Sequence, residues 1–198
     1  MPMGDVYLSS DFMLNLPNTL TLFRICLIPM IVILLLTSYE GNEVLLLALF
    51  IFTALTDTLD GFLARRWNQI TVFGELIDPL ADKLLIASMF ICMVELGKVP
   101  AWMVIVILAR EFAVTGLRSI AASRGIRTAA SVWGKIKMDS QAVTIGILIL
   151  GERILGRFYI LARIGLWVVI GTALASGLFY FVKYGPKVLS ENEPKTSA

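Results

Sequence analysis

Six long apolar runs separated by short polar connections dominate the chain. They cover residues 17–38, 44–66, 76–96, 101–122, 139–151 and 159–184, and the fifth can start as early as Ser131. Most approach the roughly 20 residues that a helix needs to cross a bilayer. In hydrocarbon the backbone must satisfy its own N–H and C=O groups, so these runs predict helices. The connections are SYEGNE (38–43), WNQITVFGE (67–75), GKVP (97–100), a basic stretch (123–138) and ERILGRF (152–158). WNQITVFGE reads as a loop or a broken helix. Ahead of the first run, residues 1–17 form an N-terminal segment. Within it DFMLNL (11–16) predicts a short amphipathic helix on the membrane surface, with a disordered lead-in as the alternative. GPKVLSENEPKTSA (185–198) reads as a polar, disordered tail. The pattern therefore predicts an all-α integral membrane protein, one domain over 1–184, folded as a bundle of six transmembrane helices.

Composition supports this class. Hydrophobic residues make up 58% of the 198 positions, and mean hydropathy is +0.82. A net charge of +2 is too small for a nucleic-acid partner. The chain has no histidine, which excludes a histidine base and histidine metal ligands. Cys26 and Cys92 lie in apolar runs and read as small buried hydrophobes. The N-terminus has neither a positive leader nor a small-residue cleavage site before its first apolar run, so no cleaved signal peptide is expected.

Charge sets the expected orientation. Arg65, Arg66, Arg118, Arg124, Arg127, Lys135, Lys137, Lys183, Lys187 and Lys195 fall on one side of the six spans. Lys98, Arg153, Arg157 and Arg163 fall on the other. The richer side is cytoplasmic by the positive-inside rule, which puts both termini there. Along the last span Gly165, Gly171, Ala175 and Gly177 permit close helix packing, either within the chain or in a homodimer.

The chemistry concentrates in DTLDGFLARRWNQITVFGELIDPLAD (57–82). Asp57 and Asp60 are three residues apart, and Asp78 and Asp82 four, so on helices each pair shares a face. An aspartate at the centre of a membrane helix costs roughly 2.5–3.5 kcal/mol, and clustered carboxylates repel one another. Divalent cations remove both penalties. A donor set made only of hard oxygens suits Mg²⁺ or Mn²⁺, and four carboxylates can hold two ions, as in enzymes that displace groups at phosphorus. The bland alternative is a set of interfacial or ion-paired acids.

Residues 57–82 carry D-x-x-D-G-x-x-A-R, eight residues, then G-x-x-x-D-x-x-x-D, at Asp57, Asp60, Gly61, Ala64, Arg65, Gly74, Asp78 and Asp82. This segment resembles the signature of the CDP-alcohol phosphotransferases, with every fixed position and both gaps intact. The resemblance implies a membrane enzyme of lipid synthesis in the bacterial inner membrane. It assigns Asp57, Asp60, Asp78 and Asp82 to two metal ions, with Asp82 also the candidate general base. It gives Asp57, Gly61, Arg65, Gly74 and Asp78 to a CDP-linked lipid. P-N-x-L-T-x-x-R at 17–24 opens the first span in much of the family, which draws Asn18 and Arg24 toward the donor site. By position alone, Arg24 could equally snorkel to the interface.

LAREFAVTGLRSIAASRG (108–125) and GKIKMDSQ (134–141) resemble the glycerol-3-phosphate branch of that family. The branch implies CDP-diacylglycerol as donor and sn-glycerol 3-phosphate as acceptor. It implies that Arg110, Arg118, Lys135 and, less firmly, Lys137 bind the acceptor phosphate. Met138 departs from the branch, where a threonine is common. Arg110 could instead pair with Glu111, and Arg124 and Arg127 read as positive-inside decoration. Two other functions fit parts of the pattern: the same chemistry with inositol phosphate, serine or another lipid alcohol as acceptor, and a divalent-cation transporter. Against the transporter, the acids gather at one membrane face and no inverted repeat is visible.

Overall fold

The structure is a computed structural model that describes residues 16–37, 39–66, 72–126 and 132–190; within these, the side chains of 16–18, 57–66, 72–76, 132–133 and 189–190 are not described. Among the described residues the regular structure is all helical, with no strand: α1 (Leu16–Thr37), α2 (Glu43–Arg66), α3 (Val72–Glu95), α4 (Ala101–Ser123), α5 (Val132–Leu155), a 3₁₀ turn (Gly156–Tyr159) and α6 (Ile160–Ser190). The expected surface helix at 11–16 lies outside the described residues, except that Leu16 opens α1. By length and apolarity, Thr19–Thr37 and the stretch Gly134–Val188 qualify as membrane-crossing, and Glu43–Thr56 is a shorter apolar helix. These features are consistent with a membrane protein. Large apolar side chains also point outward on α2, α4 and α6, including Val44, Phe52, Ile105, Phe112, Leu178 and Val182.

The chain divides into two compact units, Met1–Cys92 and Met93–Ala198. In the first, α1 packs against α2. α1 buries Thr21, Arg24, Ile28, Ile31 and Leu35, and α2 buries Glu43, Leu46, Phe50 and Thr53. Both sets alternate in steps of three and four, the spacing that keeps one helical face turned toward a neighbour. In the second unit α6 packs against α4 and α5. α4 buries Met103, Ile107, Val114, Leu117 and Ala121, with Arg110 in the same register. α6 buries Ala162, Leu166, Val169, Ala173, Ser176 and Tyr180.

Several boundaries differ from the sequence reading, for a common reason. A span ends where hydrocarbon ends, but a helix ends where its hydrogen bonds do. α3 begins at Val72, so Gly74 is helical rather than part of a loop. Pro79 consequently sits inside α3, where its missing N–H cannot bond Glu75. α5 begins at Val132, in keeping with the early start allowed at Ser131, and carries Lys135 and Lys137 on helix. It continues to Leu155, with a break at Gly151 (φ 67°, ψ 178°), a conformation essentially restricted to glycine. Near the break, Lys98 Nζ donates to the Leu148 carbonyl at 3.0 Å.

α6 also outlasts its span. The disordered tail expected from residue 185 instead continues as helix through Gly185 and Pro186 to Ser190. Tyr184 and Val188 pack with Tyr180 against Val114, Leu117 and Ala121 of α4, and Arg124 donates to the Val188 carbonyl. Arg124 thus supports the end of α6, where a cation meets the negative end of the helix dipole. Cys26 is a further correction: it lies on the exposed face of α1, whereas Cys92 is buried as expected.

Candidate active site

The acidic segment is delivered by two helices. Asp57, Asp60, Gly61 and Arg65 all belong to the continuous helix α2, and their side chains are outside the described set. The buried register of α2 runs 43, 46, 50, 53 and 56. Asp78 and Asp82 are one turn apart on α3 and half-buried, on the side that also carries buried Ala81, Leu85 and Met89. No three acidic, histidine or cysteine side chains come together among the described residues, which do not include the side chains of Asp57 and Asp60.

α1 reaches the second aspartate pair. Thr21 is 2% exposed, and its Oγ1 donates to Asp78 Oδ1 at 2.6 Å. That bond fixes the carboxylate while leaving Oδ2 and further lone pairs able to accept. Arg24, one turn along α1, is fully buried. It is enclosed by the protein rather than snorkelling. The side chain of Asn18 is not described. Thr21 lies inside P-N-x-L-T-x-x-R, but its partner is 57 residues away and local spacing carries no sign of it.

The donor chemistry of the acidic segment fits a divalent cation. The described pair is oxygen-only, sits at helical spacing, is partly withdrawn from solvent, and has one member oriented by a hydroxyl.

The basic residues of the second unit separate into two kinds. Arg118 and Lys135 are exposed on α4 and α5. Arg110 and Lys137 are enclosed, with side chains 9% and 7% exposed. Arg110 donates from Nε to Ala173 O at 3.1 Å, from Nη1 to Glu111 Oε1 at 2.9 Å and from Nη2 to Ser176 Oγ at 2.6 Å. Its guanidinium thereby ties α4 to α6. Lys137 Nζ donates to the same Glu111 oxygen. A groove of about 550 Å³ beside Arg110 is lined by Leu174, Ala175, Gly177, Leu178 and Phe181. It is apolar, and the described N–H bonds of Arg110 run to protein acceptors, so it is a poor place for phosphate. Of the small residues on α6, Gly165 and Gly177 serve packing within the chain. A methyl group on Gly165 would lie 2.6 Å from Thr144 Oγ1, and one on Gly177 would lie 3.2 Å from Arg110 Cγ.

Residues 14–175, which run through both units, match the family model described as CDP-alcohol phosphatidyltransferase. The chain is 42% identical over 187 residues to a CDP-diacylglycerol–glycerol-3-phosphate 3-phosphatidyltransferase of Bacillus subtilis strain 168, covering 86% of this chain and 95% of that protein. A protein of the same name from Rickettsia typhi is 37% identical over 171 residues, covering 85% of this chain and 96% of its own length. Another from Salmonella choleraesuis is 35% identical over 168 residues, covering 79% and 91%. With its acidic signature mounted on α2 and α3 and this similarity spread along most of its length, the chain belongs to the CDP-alcohol phosphatidyltransferase family.

Proposed function

We infer that this protein transfers the phosphatidyl group of CDP-diacylglycerol to sn-glycerol 3-phosphate, giving phosphatidylglycerol phosphate and CMP in phospholipid biosynthesis. The observation that carries this reading is the similarity, over 86% of the chain, to a relative named for that reaction. The intact eight-position signature supplies the chemistry. The acceptor's primary hydroxyl oxygen forms a bond to the phosphorus that bears diacylglycerol. The bond from that phosphorus to the CMP oxygen breaks, and CMP leaves with the electron pair. The hydroxyl proton passes to a base. With no histidine in the chain, a carboxylate takes that role, and Asp82 at the end of the signature is the assignment.

Asp57, Asp60, Asp78 and Asp82 would hold Mg²⁺ or Mn²⁺, two ions by carboxylate count, and such ions neutralise the charge that builds on the pyrophosphate and leaving oxygens. Thr21 keeps Asp78 in one orientation. Asp57, Gly61, Arg65, Gly74 and Asp78 bind the CDP-lipid, with Asn18 and Arg24 contributing from α1. Exposed Arg118 and Lys135 meet the acceptor phosphate, and Lys137 approaches it from the enclosed side. Arg110 acts behind them, through Glu111 and Ser176.

The proposed setting is six spans in the bacterial inner membrane with the acidic segment facing the cytoplasm, where soluble acceptor arrives. The test is CMP release by purified protein supplied with CDP-diacylglycerol. Release that requires glycerol 3-phosphate supports the reading. Release driven by inositol phosphate or serine instead would move the protein to another acceptor within the family.

A further inference from the structure

The buried face of α5 is polar over its first turns. Lys137, Gln141 and Thr144 follow one another in steps of four and three, and the stripe turns apolar only at Ile145 and Leu148. Lys137 is accounted for by its bond to Glu111 of α4. Thr144 fills space against α6, where its Oγ1 would meet a methyl group on Gly165. Gln141 has no such task. Its side chain is 2% exposed, and its Nε2 is enclosed without a hydrogen-bond partner among the described residues. A buried amide N–H that gives up water and gains no acceptor destabilises a fold. An apolar side chain of similar volume would fill the place without that penalty. Lys135 lies six residues earlier on the same helix and is exposed. α5 therefore offers a cation outside and a neutral amide inside, about 9 Å apart along its axis, a gap that two long side chains can close around a three-carbon molecule. Glycerol 3-phosphate has the matching polarity, an anionic phosphate at one end and two neutral hydroxyls on the carbons beyond it.

We propose that Gln141 binds the secondary hydroxyl of glycerol 3-phosphate, its enclosed Nε2 donating to the hydroxyl oxygen. Arg118 and Lys135 take the phosphate and the reaction consumes the primary hydroxyl, so the secondary hydroxyl is the polar group of the acceptor still in need of a partner. A neutral amide suits it, because an amide donates without adding a charge that would draw the phosphate inward. The consequence is selectivity: the site favours a polyol phosphate over a plain hydroxyalkyl phosphate, which would leave the amide unpaired. This rests on the reading that glycerol 3-phosphate is the acceptor and that Arg118 and Lys135 hold its phosphate.

The experiment compares wild type and Gln141→Met as purified full-length enzyme. It follows incorporation of labelled glycerol 3-phosphate into lipid, with 3-hydroxypropyl phosphate as competitor. That analogue keeps the phosphate and the primary hydroxyl and lacks the secondary one. In Gln141→Met the KM for glycerol 3-phosphate should rise roughly 3- to 10-fold, the equivalent of one neutral hydrogen bond. The inhibition constant of the analogue should stay within twofold, and Tm should be unchanged or higher, since an unpaired buried amide has gone. Should Gln141→Met fail to fold, Gln141→Leu carries the same comparison. An unchanged KM for glycerol 3-phosphate overturns the proposal. So does an equal rise in both constants, which with a lowered Tm marks the amide as held by an enclosed water. Wild-type enzyme that incorporates no glycerol 3-phosphate overturns the acceptor reading itself, and the proposal with it, before any variant is compared.

Discussion

Each of the four aspartates at 57, 60, 78 and 82 contributes a charge that its amide cannot replace. Asp57→Asn, Asp60→Asn, Asp78→Asn and Asp82→Asn are each expected to remove nearly all CMP release. EDTA should do the same, with Mg²⁺ or Mn²⁺ restoring turnover; full activity in EDTA would refute the metal assignment. Thr21 offers a finer probe. Thr21→Val keeps the shape and deletes the 2.6 Å bond to Asp78. A hydrogen bond to a charged group is worth about 1.5–3 kcal/mol, so activity should fall at least tenfold at limiting metal and recover partly as metal is raised. A response indifferent to metal concentration would separate Thr21 from the cation site. The basic residues should divide as their burial does. Arg118→Ala and Lys135→Ala remove exposed cations and should raise acceptor KM roughly 10- to 150-fold at unchanged donor KM. Arg110→Ala removes the bonds to Ala173 and Ser176 while Lys137 still meets Glu111, and should cost about 1.5–3 kcal/mol of stability, seen as a lowered Tm in detergent. A rise in donor KM alone for Arg118→Ala would mean that the two substrate sites are exchanged.

α3, α5 and α6 are longer than the apolar runs that announce them, and the added turns of α3 and α5 carry Gly74, Lys135 and Lys137. Val72–Glu75 extends α3 ahead of Asp78, and Val132–Met138 brings both lysines onto α5. The polar residues that end a span in the sequence do not end the helix, because the backbone ladder continues through them. Two glycines set how the second unit's helices end and meet. At Gly151 (φ 67°, ψ 178°) any side chain is strained, and Gly151→Ala should cost about 1–3 kcal/mol. Gly165→Ala places a methyl group 2.6 Å from Thr144 Oγ1, a side chain only 1% exposed. Overpacking of this kind costs about 1–3 kcal/mol. The pair Gly165→Ala, Thr144→Ala should regain part of that Tm loss, since removing the hydroxyl and methyl makes the room. No recovery in the double variant would show that α5 and α6 do not depend on this contact.

For the molecule as a whole, the asymmetry of Lys and Arg predicts that the 66–75 and 123–134 connections face the cytoplasm. Cysteines placed at Gln69 and Ser131, in a background lacking Cys26 and Cys92, should react with an impermeant reagent only after the inner membrane is opened. Labelling of intact cells would reverse the orientation. Much of this protein was legible one residue at a time, because the informative patterns are local. Hydrophobic runs mark helices that must satisfy their own backbone, and aspartates three and four apart share a face on any helix. The acidic signature also keeps its spacing wherever the helices go, so sequence determined the helical class, the acidic segment and the family resemblance. Burial and pairing belong to tertiary structure, since they depend on which faces meet. Arg24 had two equal readings until α1 was seen to bury it. Arg110 and, less firmly, Lys137 read from the sequence as phosphate ligands beside Arg118 and Lys135, and only the fold shows that both also meet one oxygen of Glu111. Lys137 and Glu111 are 26 residues apart and Thr21 and Asp78 are 57 apart, separations over which no helical period operates, so only the tertiary fold could bring each pair together.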